Sequence, residues 1–87
     1  MVSLKNIQTE VDASFLYQVL ADHEEDANIA SVFRQMSAIE HGHAIAFMQK
    51  NKLDTAQMPP PSKRARILNT IGRVFGYNYL LGVLLDT

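Results

Sequence analysis

From Ser3 to about Glu24 the apolar positions Leu4, Ile7, Val11, Phe15 and Val19 recur at steps of three and four, the period of one helix face. A second set, Ala13, Leu16, Tyr17 and Leu20, widens that stripe into a face suited to a bundle. Ser3 is the expected N-cap. The charged stretch His23-Glu24-Glu25-Asp26 has no apolar residue and reads as a turn. Asp26 is placed to accept the free amides of a second helix. That helix is expected over about 27–51, with Ile29, Val32, Phe33, Met36, Ile39, Ala44 and Phe47 on its inward side. Gly42 falls mid-helix and costs roughly 1 kcal/mol against alanine, which a period this long overrides.

Met58-Pro59-Pro60-Pro61 must be extended, because each proline fixes its own φ and drives the preceding residue out of helical space. Ser62 then caps a third helix over 62–75 that carries Ile67, Leu68, Ile71, Val74 and Phe75, and Gly76 ends or kinks it. The stretch 77–86 is apolar on nearly every side, with Tyr79, Leu80, Leu81, Val83, Leu84 and Leu85. At that length it predicts a buried helix and not a membrane span. The pattern stops at Thr87 without a C-cap, so a fragment of a longer helix is expected, and with it an incomplete domain. The expectation is one all-α domain over 1–87, with helices at about 3–24, 27–51, 62–75 and 77–86.

Composition narrows the function classes. A hydrophobic share of 47% is that of a globular protein. The net charge of −1 does not point to nucleic acid or an anionic membrane as the main partner. The start, Met1-Val2-Ser3-Leu4-Lys5-Asn6, lacks the apolar core of a signal peptide. There is no cysteine, which removes disulfides and thiolate metal sites and fits a reducing, cytoplasmic setting. At 87 residues without staples, the chain is expected to draw stability from self-association or a metal.

The chemistry concentrates in Glu40-His41-Gly42-His43, where Glu40 and His43 stand three apart on a helix and point the same way. Steps of three, four and seven place them on the face of Phe33, Met36, Ala44 and Phe47. A carboxylate and an imidazole within an apolar stripe are expensive to bury unless something pairs them, and a metal ion is the usual partner. Glu10 shows the same anomaly among Ile7, Ala13 and Tyr17. If the hairpin turns near Glu25, Glu10 and Glu40 are equally far from the turn, both about 22 Å along their helices at about 1.5 Å per residue. Glu10, Glu40 and His43 are therefore the expected metal ligands. Carboxylates with one imidazole suit iron or manganese better than a structural zinc, with a carboxylate bridging two irons as the expected use. Binding requires deprotonated ligands and should weaken in mild acid.

Glu10, Tyr17 and Glu40-x-x-His43 together resemble the first half of the ferritin-like superfamily, whose four-helix bundles use Glu plus Glu-x-x-His twice. Phe15-Leu16-Tyr17, the Glu-Glu-Asp turn and Phe33-x-x-Met36 resemble rubrerythrin-like domains in particular. Met58-Pro59-Pro60-Pro61-Ser62, with Arg66-x-Leu68 and Phe75-Gly76, resembles the ferritin-like domain attached to membrane iron transporters of the vacuolar type. The resemblance implies a ferritin-like helical hairpin, half of a four-helix bundle, holding a di-iron centre with manganese or zinc as substitutes. It implies iron binding with ferroxidase activity. Two alternatives stand beside it: peroxide-dependent redox activity, and a non-catalytic module delivering iron to a membrane transporter. The family's second Glu and second Glu-x-x-His are missing here, and zero cysteines exclude a rubredoxin domain. The arrangement resembles encapsulated ferritins, in which two short chains build one site, so a homodimer is expected.

Other residues carry weaker expectations. Tyr17 is either a hydrogen-bond partner of a ligand or a core tyrosine. His41, about 100° round from Glu40, is expected in solvent. Lys63, Arg64, Arg66 and Arg73 read as the wet side of an amphipathic helix, with contact to lipid headgroups or an acidic partner as the other reading.

Overall fold

The computed structural model describes residues 4–85, with side chains from Asn6 onward. Among the described residues four helices follow one another, α1 (Leu4–His23), α2 (Ala27–Lys50), α3 (Lys63–Phe75) and α4 (Asn78–Leu85), with a 3₁₀ turn at Thr55–Gln57. No strand occurs among the described residues, so the architecture is all-α. The expected cap at Ser3 and the end of the last helix at Asp86 and Thr87 lie outside the described residues.

The hairpin closes where the charged stretch predicted. Asp26 is extended, and its Oδ1 accepts from the amides of Asn28 (2.9 Å) and Ile29 (3.2 Å), satisfying donors that the first turn of α2 leaves unpaired. α1 and α2 then run antiparallel as the principal packed pair. Tyr17 stacks on Phe33 with ring centroids 6.4 Å apart, and these residues are equally far from Glu25. One turn further from the hairpin end, Ser14 Oγ donates to the Ser37 carbonyl (2.9 Å) and Ser37 Oγ to the Ser14 carbonyl (2.7 Å). Two small hydroxyl side chains thus let the backbones approach and leave no buried hydroxyl unpaired.

Two apolar clusters flank this serine contact. Near the turn, Leu16, Tyr17, Leu20 and Phe33 pack with Leu68 of α3 and Leu80 of α4. Toward the open end, Ile7, Val11, Ala44 and Met48 form a second cluster, with Phe47, Leu53 and Met58 against it. Removing a side chain such as Leu80 from water stabilises by about 1.5–3 kcal/mol. Between the clusters lies a polar layer, with Ser14 and Ser37 at the helix crossing and Glu10 and Glu40 beside it.

The proline segment returns the chain to α1. Ser62 caps α3 with its own hydroxyl (3.1 Å to the Ala65 amide) and is itself fastened to Asp12, which accepts from the Ser62 amide (2.8 Å) and hydroxyl (2.5 Å). Gln8 bridges Asp12 and the Pro60 carbonyl. α3 ends at Gly76, whose φ of +105° few side chains tolerate. At Gly72 a Cβ would stand 3.0 Å from Leu80 and 3.1 Å from Tyr77, so glycine lets α4 fold back closely onto α3. Tyr77 in turn stacks on His23, with centroids 4.1 Å apart, and its hydroxyl lies 3.3 Å from His23 Nε2.

Two expectations about burial need correcting, and α3 shows a further set of exposed apolar residues. Ile29, Val32 and Ile39 of α2 are exposed, because α1 covers only one arc of α2 and these residues lie beyond it. On α3, Ile67, Val74 and Phe75 are exposed as well; its inward line is Ala65, Leu68 and Gly72. α4 is not a buried helix: Leu80 is its fully buried residue among those described, while Tyr79 and Leu85 face solvent. In each case the chain carries more apolar surface than its own helices cover.

Candidate metal centre

Glu10, Glu40 and His43 come together. One ligand atom from each lies within 4.8 Å of the other two. His43 Nδ1 stands 3.5 Å from Glu10 Oε2 and 3.9 Å from Glu40 Oε1. Donors around one cation sit about 2.0–2.2 Å from it, and so about 3–4 Å from each other, close to the observed spacing. The three converge because antiparallel pairing levels Glu10 with Glu40, and one helical turn brings His43 up beside Glu40.

The two carboxylates occupy a shared, partly desolvated place at side-chain exposures of 32% for Glu10 and 27% for Glu40. Glu40 is pushed up from 4.5 to about 7. The main cause is a hydrogen bond with Glu10, followed by burial and by the Glu10 charge, while His43 pulls in the opposite direction. Glu10 Oε2 is buried and has no hydrogen-bond partner, the one such side-chain atom among the described residues. A buried oxygen without a donor is costly, and a cation is the partner that would satisfy it together with Glu40. The residues present fit a hard divalent metal.

His43 corrects a second part of the sequence reading. Its side chain is 59% exposed, not enclosed in an apolar stripe, because it lies at the edge of the arc of α2 that α1 covers, where Nδ1 approaches Glu10 and much of the side chain faces solvent. Tyr17 is buried beside the pair: it lines a cleft of about 270 Å³ with Thr9, Glu10, Ala13, Glu40 and Leu84. Burial and the Glu40 charge both push its hydroxyl pKa up. His41 is exposed. Asp12 and His23 are structural fasteners that helical spacing alone does not reveal, since their partners Ser62 and Tyr77 are more than 45 positions away.

No family model, curated protein or solved structure matches the chain. The site's chemistry therefore rests on its own geometry.

The raised Glu40 carries a stability signature. Between about pH 4.5 and 7 the folded state holds a proton on Glu40 that the unfolded chain has released. The metal-free protein should therefore lose stability as pH rises through that window. Glu40→Gln should flatten the slope. Thermal melts of both proteins across the window check it, and a parent whose stability rises over the same range contradicts the raised Glu40.

Proposed function

We propose that the chain binds iron at Glu10, Glu40 and His43, and that two copies complete a ferritin-like di-iron site with Fe(II) as its substrate. The observation that carries this reading is the convergence of two carboxylates and an imidazole on a buried carboxylate oxygen with no other partner. Glu40, pushed up to about 7 chiefly by its hydrogen bond with Glu10, must give up its proton when a cation binds, so affinity should climb as pH rises through about 7. His43 offers a ring nitrogen from the open side. Bound Fe(II) supplies electrons one at a time, with dioxygen or hydrogen peroxide as the acceptor.

A second copy is supported by what flanks the site. Ile29, Val32, Met36, Ile39 and His43 follow each other along α2 at steps of three, four, three and four, the spacing of a helix–helix seam. Ile29, Val32 and Ile39 are exposed, and Met36 is half-buried. This stripe runs directly into His43, and Glu40 sits on the border between the stripe and the face packed on α1. A two-fold partner laid along it would cover the apolar residues and bring three further donors to the site.

Ligands gathered only in the folded state make metal a stabiliser. Under anaerobic conditions, Fe(II) or Mn(II) at about 100 times its Kd should add about 2.7 kcal/mol, a rise in Tm of roughly 10 °C or more for a domain of this size. An unchanged Tm contradicts the site.

A further inference from the structure

The net charge of −1 conceals a partition. From Thr55 to Leu85 the chain carries four cations, Lys63, Arg64, Arg66 and Arg73, and no acidic side chain. All four lie on α3 and are exposed. None forms an ion pair with a described carboxylate. The inner side of α3 is fixed to the body of the protein through Ala65, Leu68 and the Ser62–Asp12 clamp, so its orientation is set and its outer side is free.

That outer side is not simply polar. Ile67 and Val74, seven positions apart, share one line along α3, about half a turn from Ala65. Val74 is 69% exposed, and Phe75, beside it at the helix end, is 80% exposed. Arg66 and Arg73, also seven apart, form a parallel line about a quarter turn away, with Arg64 on the opposite flank. Separate apolar side chains bordered by guanidinium groups match the interface of an anionic bilayer: the apolar tips enter between headgroups, and the arginines pair with phosphate oxygens. We propose that the outer face of α3 docks this protein peripherally onto an anionic lipid surface. No helix among the described residues is long and apolar enough to cross a membrane, and the proposed contact of α3 is with the surface.

The test is co-sedimentation of the full chain with phosphatidylcholine vesicles, with and without phosphatidylglycerol. Binding is expected to the anionic vesicles only, and salt should weaken it. Each cation near such a surface contributes about fivefold to partitioning, so Arg66→Ala/Arg73→Ala should lower it roughly 25-fold. Arg66→Lys/Arg73→Lys should retain most of it, and Phe75→Ser should weaken it with helicity unchanged. Equal binding to neutral vesicles, no binding to anionic ones, or insensitivity to the double alanine variant overturns the proposal. So does a result in which the double variant changes the oligomer mass while vesicle binding stays as in the parent, since α3 would then face a second copy.

Discussion

Glu40→Ala and His43→Ala should each reduce iron affinity by at least about 100-fold while leaving far-UV helicity intact. Loss of a residue that merely supports a metal ligand commonly weakens binding 10–100-fold, and removing the ligand itself should do no less. The fold should survive because neither side chain holds the hairpin together. Tyr17–Phe33 stacking, the Ser14–Ser37 exchange and the two apolar clusters do that. For Glu40 the metal-free protein should become slightly more stable near pH 7, because the substitution relieves a carboxylate held beside Glu10 in a partly desolvated place. Metal analysis after equilibration with anaerobic Fe(II), alongside circular dichroism, reads both effects. Iron binding by either variant at the parent's level removes the assignment.

Ile39→Asp should abolish iron binding without touching a ligand. On an isolated chain Ile39 is exposed, and a surface substitution would change stability by about 0.5 kcal/mol or less. In a dimer whose seam is Ile29, Val32, Met36 and Ile39, the same substitution buries an unpaired carboxylate. The two-fold buries one from each chain, and a penalty of about 3 kcal/mol or more for each weakens association by a factor on the order of 10,000. The expected outcome is a well-folded chain of half the parent's mass with a severed di-iron site. Ala38→Asp, one residue back and about 100° round α2, is the control that should leave mass and iron unchanged. An Ile39→Asp protein that keeps both places the seam elsewhere and contradicts the dimer proposed here.

Much of the hairpin was legible in the sequence because its geometry has few free quantities. A charged turn centred on Glu25 and a fixed rise per residue set the level of every residue on both helices. Tyr17 meets Phe33, and Glu10 meets Glu40, at matching heights. The caps at Asp26 and Ser62 were legible for the same reason: a side-chain acceptor and the next free amides are local. Burial was less legible. Periodicity marks which residues share a face, but it does not say whether this chain provides something to cover that face. Ile29, Val32, Ile39, Ile67 and Val74 are patterned as interior residues and are exposed. His43 joins that group because it lies at the edge of the arc of α2 that α1 covers. The fasteners after the proline segment were invisible, because the path of an extended loop decides that Ser62 reaches Asp12 and Tyr77 reaches His23.

The central claim is that one chain provides half of a metal site. It is tested most directly by sedimentation of the parent protein during an anaerobic Fe(II) titration, with metal content measured on the sedimenting species. The expected result is a dimer that saturates at about two irons, one per chain, since each chain offers two carboxylates and one imidazole where a ferritin-like di-iron centre uses about four and two. A monomer that binds a full iron pair, or a protein that takes up no iron in any oligomeric state, would contradict it.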